Sequence, residues 1–571
     1  MAIARRRFRV FSQAITTALW PLLLFAACGT EPVGLSDPKT GGPRSRSTPP
    51  PAPSLGPAVS LTIRSSDDLQ LMPARVLFYP ADPKQKLDFH SDGSKMSDVG
   101  AGVFGVPEGV MLPYGKGLVP VPPGSYKLRI IQGMEYESVW VDITVGNRRV
   151  VPVDVVLQHS VRLPEPGWLG SDQHIHSQVS SDSKIPTAQR VVSEVCSGIS
   201  VLVPTEHVFH YDLAPEIRDL GLSKYAVSIP GSEYGFDLGH IGVFPVQYDP
   251  SGPLLGAPEW ERWPWGGVDA VTYFPLIHQL PGQPLVVINH PRLPPDLGYF
   301  HNLRWQPGQP LPAEGLFDGL EVLNGYENTP QSILPVLRDW FYLLNRGQRV
   351  TGVGNSDTHR ADWLRAGYPR TFLRLPTDEP SRVLPSDVRA AMVEMQAIAT
   401  NGPLTHLRVD GHGMGETVRV KDGKVQVDLW ADAAGWIDIS RVLVYLNGAV
   451  AAEVPITYRA HPSLQTTIEV PIKAEGWILA VVVGNEPLPT DIIGAVNAGK
   501  ARPIGFTNPV WLDLDGDGRV TPPGTIPPMP MLFGRTAQLA AQEAQAAPRI
   551  LETPLHAPLD CEPEQWPQWL R

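Results

Sequence analysis

His174 and His176, in the stretch Ser171-Asp172-Gln173-His174-Ile175-His176-Ser177, have the residue types and the spacing to grip one metal ion. On an extended segment, side chains two apart project to the same side, so both imidazoles can face a single point. Other groups able to hold a metal recur downstream. Thr205-Glu206-His207, Gly231-Ser232-Glu233, Gly239-His240, His290-Pro291 and Ser356-Asp357-Thr358-His359 follow in order, and nine of the 15 histidines lie between His174 and His359. Imidazoles mixed with carboxylates suit Zn, Mn or Fe better than Mg or Ca. A metal ion held by such groups would lower the pKa of a bound water and polarise the oxygen of a reacting ester. No G-x-S-x-G turn offers a serine nucleophile instead.

The elements that must position these groups are visible in the runs before them. Ile199 to Pro204 leads into Glu206-His207, Leu285 to Asn289 into His290, and Arg349 to Gly354 into Asp357 and His359. Short apolar runs that end in functional groups are the layout of a (β/α) barrel, whose strands are buried on both faces. Helices are expected over Thr187–Cys196, Gln331–Asn345 and Ser386–Ile398. His210, His278 and His301 lack motif partners and read as core or surface histidines.

The remainder frames this barrel. Residues 1–28 carry Arg5-Arg6-Arg7 and Arg9, then an apolar run, Ala18 to Ala27, with the shape of a secretory signal and too short for a transmembrane helix. Leu24-Phe25-Ala26-Ala27-Cys28 resembles a bacterial lipobox, which predicts lipidation at Cys28 and a lipid-anchored protein of the bacterial cell envelope, periplasmic or at the cell surface. Residues 29–57 are a Pro/Gly/Ser-rich tether. Residues 58–160 show alternating runs (Val59–Ile63, Arg75–Tyr79, Lys127–Ile131, Trp140–Val145) that predict a β-sandwich. The turn Val121-Pro122-Pro123-Gly124-Ser125-Tyr126 resembles one in carboxypeptidase-regulatory-like domains. Residues 161–410 are the barrel and 411–520 a second β-sandwich. There Asp513, Asp515 and Asp517 resemble half of a calcium loop, with Gly524 where the usual glutamate would stand. Residues 521–571 form a tail with a helix expected over Thr536–Ala547. A net charge of -11 argues against nucleic acid as a partner. With three cysteines, no disulfide framework is expected, and a Cys196–Cys561 bridge is left open.

Asp172-x-His174-x-His176, Ser181-Asp182, Thr205-Glu206-His207, Gly231-x-Glu233, Gly239-His240, His290-Pro291 and Ser356-Asp357-x-His359 resemble the ordered motifs of the PHP (polymerase and histidinol phosphatase) superfamily. Thr400-Asn401-Gly402-Pro403 and the flanking β-domains are similar to its exported, carbaryl-hydrolase-like CehA/McbA branch. The resemblance implies a distorted (β/α)7 barrel with two or three divalent ions. His174, His176, Glu233 and Asp357 would bind the first, with Glu233 bridging to a second held by His240 and His290. Asp182, His207 and His359 would hold a third. The family usually has Asp where Glu206 stands; an acid that orients an imidazole tolerates the extra methylene, whereas one that moves a proton does not. Asp172 poses the same choice. Arg292, Asn324 and Tyr326 fall near predicted strand ends, where they serve either as substrate contacts or in loop packing and capping. The expected function is hydrolysis of a phosphoester, carbamate or other ester of a small molecule by metal-activated hydroxide. The alternatives are an inactive surface binding lipoprotein and a calcium-stabilised adhesin.

Overall fold

The computed structural model describes residues 56–533 apart from 88, 90–94, 237–238, 259–268, 363, 457–460 and 530–531. The expectations for Cys28, Cys561, the tether and the Thr536–Ala547 helix fall outside the described residues. The chain is multi-domain and sheet-rich, with strand over 37% and helix over 14% of it. No barrel is closed by hydrogen bonds among the described residues.

The first region is built from two sheets. One has six strands, from Ser97–Gly100 to Val139–Val145; the other sets Ala58–Ser65 between Lys116–Pro120 and Val150–Leu157. Alternation explains this packing. Val59, Leu61 and Ile63 point inward from one sheet and Val76, Leu128 and Ile130 from the other, all in one apolar core. The four runs expected to be strands are strands, within Ala58–Ser65, Ala74–Pro80, Gly124–Ile131 and Val139–Val145.

Two sheets carry the site. In the larger, Trp168–Ile175, Val201–Pro204 and Val227–Ser228 run parallel, but the other edge of Trp168–Ile175 pairs antiparallel with Arg370–Arg374. The smaller orders Ser232–Phe236, Gly239–Phe244, Leu285–Ile288, Gly319–Asn324 and Thr351–Asn355, the first three antiparallel and the rest parallel. A strand has only two edges, so Arg370–Arg374 takes the place that Thr351–Asn355 would need to close a ring. The sheets touch instead at two isolated bridges, Ile175 with Thr358 and His207 with Glu233. One seam joins the last residue of Trp168–Ile175 to the segment after Thr351–Asn355, and the other joins the segment after Val201–Pro204 to Glu233 near the start of Ser232–Phe236, both beside residues expected to bind metal.

Helices at Thr187–Val195 and Pro330–Asn345 match expectation. The third is shorter than expected, Pro385–Val393 rather than through Ile398. Residues Ala397–Thr400 form a strand between Arg370–Arg374 and Ile504–Thr507, and ladder pairing on both edges outweighs their helix propensity. Through Ile504–Thr507 the large sheet continues into Gly476–Val483, Arg441–Leu446 and Ala449–Pro455. The C-terminal strands expected to form a sandwich of their own are therefore shared between this sheet and a three-stranded one, Leu404–Val409, Lys424–Asp432 and Ser463–Pro471.

Among the described residues Cys196 has no disulfide partner; it is 1% exposed, and burial pushes its thiol up to about 12. Alkylation of native protein followed by peptide mass mapping is expected to leave Cys196 unmodified until the chain unfolds, because the thiolate is the reactive form.

Candidate metal centre

All groups but Asp182, which lies in the loop between Trp168–Ile175 and Thr187–Val195, reach the centre from strand ends. His174 lies within Trp168–Ile175 and His176 just after it; Glu206 and His207 follow Val201–Pro204; Glu233 and His240 sit on the two arms of a hairpin; His290 follows Leu285–Ile288, and Asp357 and His359 follow Thr351–Asn355. His290 and Asp357 have φ of 25° and 54°, a left-handed turn that non-glycine residues adopt at a cost and that recurs at functional sites.

Four donor groups result: His174–His176–Asp357, His174–Glu233–His290, His207–Glu233–His240 and His176–Asp182–His207–His359, each with its ligand atoms within 4.8 Å of one another. All nine residues expected to bind metal are brought together. The grouping is finer than expected, since His207 joins Glu233 and His240 while His176 joins the Asp182 group. Glu233 is central, its oxygens 3.1 Å from His174 Nε2, 3.4 Å from His176 Nε2, 3.3 Å from His207 Nδ1, 3.4 Å from His240 Nδ1 and 3.3 Å from His290 Nε2.

These residues fit a metal ion. The Nε2 atoms of His174 and His176 are buried and make no hydrogen bond, although carboxylate oxygens stand nearby. Donors 2.0–2.1 Å from a tetrahedral ion lie about 3.3 Å from one another, the spacing found here. The nitrogens on the far side of both rings are engaged: His174 Nδ1 donates to Glu321 Oε1 at 3.1 Å and His176 Nδ1 pairs with Ser180 Oγ at 3.0 Å.

Electrostatics follow from burial set against close opposite charges. Burial alone would raise Glu233, Asp357 and Asp182, but the surrounding imidazoles hold all three well below the usual carboxylate range. His176 is pushed down to about 3 by burial and by His359. For His207 burial works downward, yet Asp182 and Glu233 push it up to about 9. That pair therefore stabilises the metal-free fold fully below about pH 6.5 and stops doing so as pH rises through about 9. Metal competes with the His207 proton, so zinc affinity is expected to climb by about tenfold per pH unit for each proton displaced over that window. Calorimetric titration in buffers of different ionisation enthalpy reads the protons released.

Asp172 and Glu206, expected as orienters or proton carriers, are turned to backbone donors. Asp172 accepts from Ser356 N and Gly367 N, both at 3.0 Å, and burial pushes it up to about 6. Glu206 accepts from Ser177 N at 2.9 Å and Ser180 N at 3.1 Å, and from Ser177 Oγ. This fixes the Ser177–Ser180 turn whose Ser180 braces His176. Both acids are thus engaged by backbone and serine donors, and neither belongs to the four donor groups.

Of the expected substrate contacts, Arg292 is engaged bidentately by Asp339 at 2.7 and 2.8 Å. Asn324 donates to Glu321 Oε2 at 2.9 Å and Asp357 Oδ2 at 3.2 Å, so it braces a ligand. Tyr326 places its hydroxyl 3.3 Å from His359 Nδ1, at the rim. His210 is a satisfied core histidine between Gln247 O and Tyr234 Oη, His278 pairs with Asp318, and His301 is half-buried. In the Asp-rich loop, Asp513 and Asp515 group with Glu475 rather than with Asp517, whose Oδ1 accepts from Arg519 N.

Several bracing residues were not foreseen: Glu321, Asn289, Asn355 and Ser180. Asn289 Nδ2 donates to Glu233 Oε1 at 2.8 Å. A carboxylate inside the apolar run Gly319-Leu320-Glu321-Val322-Leu323 was the available signal, since such a group is almost never fully buried without partners. Glu327, on the next loop, has its carboxyl pushed up to about 7, chiefly by burial.

No family model matches this chain, and no curated protein does. Among solved structures, it is similar to an engineered protein determined by the Northeast Structural Genomics Consortium, at 16% identity over 35% of this chain and 40% of that one, with a TM-score of 0.13. That likeness carries no argument about fold or chemistry.

Proposed function

We propose that the chain is a metal-dependent hydrolase of the PHP superfamily, in its carbaryl-hydrolase-like branch, acting on a phosphoester, carbamate or other ester of a small molecule. The observation that carries this reading is Glu233, a buried carboxylate shared by two donor groups and ringed by five imidazoles. Two or three Zn, Mn or Fe ions held by His174, His176, Asp182, His207, Glu233, His240, His290, Asp357 and His359 would supply a water of lowered pKa and polarise the ester oxygen. The chain's own part is to hold these side chains rigid, with Nδ1 of His174 tied to Glu321 and the 177–180 turn tied to Glu206.

The two sheets, meeting at the strand ends that bear the ligands, support a strongly distorted (β/α)7 barrel opened at two seams. We further propose export and anchoring through a lipidated Cys28 in the bacterial cell envelope. Among the described residues no helix is long and apolar enough to cross a membrane.

Metal analysis of the full chain tests the reading, followed by a screen of aryl phosphodiesters, carbamates and carboxylic esters. Two or more equivalents of transition metal with turnover on one class is the expected result. Protein that holds no metal and takes up none of Zn, Mn or Fe would end the proposal.

A further inference from the structure

Glu321 is fully buried in the middle of Gly319–Asn324, and its carboxylate meets four donors. Oε1 accepts from His174 Nδ1 at 3.1 Å and Asn355 Nδ2 at 3.1 Å; Oε2 accepts from His290 N at 2.7 Å and Asn324 Nδ2 at 2.9 Å. The four come from four segments: the strand Trp168–Ile175 of the large sheet, and in the small sheet the turn after Leu285–Ile288, the end of Gly319–Asn324 and the end of Thr351–Asn355. Asn324 passes the contact on to Asp357, and Asn355 Oδ1 accepts from Gln173 N at 3.0 Å, beside His174.

Every partner of this side chain is a donor, so only a group that accepts at both oxygens satisfies the set. A carboxylate facing Nδ1 also decides the proton's place on the ring. His174 must carry hydrogen on Nδ1, which leaves Nε2 to face Glu233 and Asp357, 3.1 and 3.3 Å away.

We infer that Glu321 is a positioning residue that fixes the His174 tautomer and holds ligands from both sheets in register, so that the Glu233-centred groups form together. This rests on the metal reading above. Because Gln keeps the shape of Glu but turns two N–H donors toward donors, Glu321→Gln isolates the role.

The test uses the full chain with zinc alone as the probe and 15N-labelled histidine. In the zinc-loaded wild type, long-range 1H–15N correlation, with His174 assigned by its loss in His174→Ala, is expected to show Nδ1 protonated and Nε2 coordinated. In Glu321→Gln, chelator competition is expected to give zinc affinity about ten- to a hundredfold weaker, with a changed His174 pattern at saturating zinc. A merely structural role would lower the melting temperature and move neither readout. Should Glu321→Gln fail to fold, the wild-type spectrum decides alone: Nε2 protonated with Nδ1 coordinated overturns the inference. Wild type and Glu321→Gln matching within threefold, with the same His174 pattern, overturns it while the metal reading stands. A wild type that takes up no zinc overturns both.

Discussion

Replacing Glu233 with Ala is expected to cost the protein its bridged metal and nearly all of its turnover. Two of the four donor groups contain this carboxylate, and without it His240 loses the only acid in its group. Metal content should fall to one equivalent or less, held by the His176–Asp182–His207–His359 group. Hydrolysis should fall by at least about a thousandfold, as expected when several kcal/mol of charge stabilisation are withdrawn from a transition state. The metal-free variant should also weaken in acid. Glu233 is among the groups that raise His174, His207 and His290, so without it these rings repel one another once protonated. Mass-spectrometric metal counting, with melting curves before and after chelation, reads all of this: chelation should lower the wild-type midpoint and move the variant's by less. Retention of both metal and activity in the variant would remove Glu233 from the centre and the proposed function with it.

A large loss of stability from a single polar side chain is expected at Asn508. It is fully buried, accepts from Gly352 N at 2.9 Å, and donates to Gly352 O at 3.0 Å and Ala397 O at 2.9 Å. Its amide thus stands in for a peptide between Thr351–Asn355 of the small sheet and Ala397–Thr400 of the large one, where no ladder runs. Leu has similar volume and none of the donors or acceptors. Asn508→Leu leaves both polar groups of Gly352 buried without partners, at about 1–3 kcal/mol each and about 3–5 kcal/mol in all once the third bond is included. Since domains are stable by about 5–15 kcal/mol, the urea midpoint should drop markedly. A change below about 1 kcal/mol would mean that Gly352 pairs elsewhere.

What the sequence made legible was the chemistry at strand ends. His174, His176, Glu233 and Asp357 announce themselves because donors with fixed spacing behind apolar runs are rare. The first-region strands were legible for the same kind of reason, a clean period of two. Partners remote in sequence were not legible. Glu321 meets His174 across 147 positions and Asn508 meets Gly352 across 156, and no local pattern encodes such pairs. Strand order was hidden too. Arg370–Arg374 reads as a strand in isolation, but nothing in Arg370-Thr371-Phe372-Leu373-Arg374 says that it will lie antiparallel beside Trp168–Ile175 and so prevent ring closure. The helix expected over Ser386–Ile398 stops at Val393, and Ala397-Ile398 instead open the strand Ala397–Thr400, whose partner Ile504–Thr507 lies about a hundred residues further on.

The continuity of the large sheet past residue 410 bears on how this chain can be dissected. A fragment ending there would contain every one of the nine ligands, yet Ala397–Thr400 would lose Ile504–Thr507 and present a bare edge of buried-type residues, Ala397-Ile398-Ala399-Thr400, to solvent. Edges of that kind recruit other chains. Here the half that bears the candidate metal centre and the trailing strands share one sheet, so the centre cannot be transplanted, shortened or fused at that boundary without inviting aggregation.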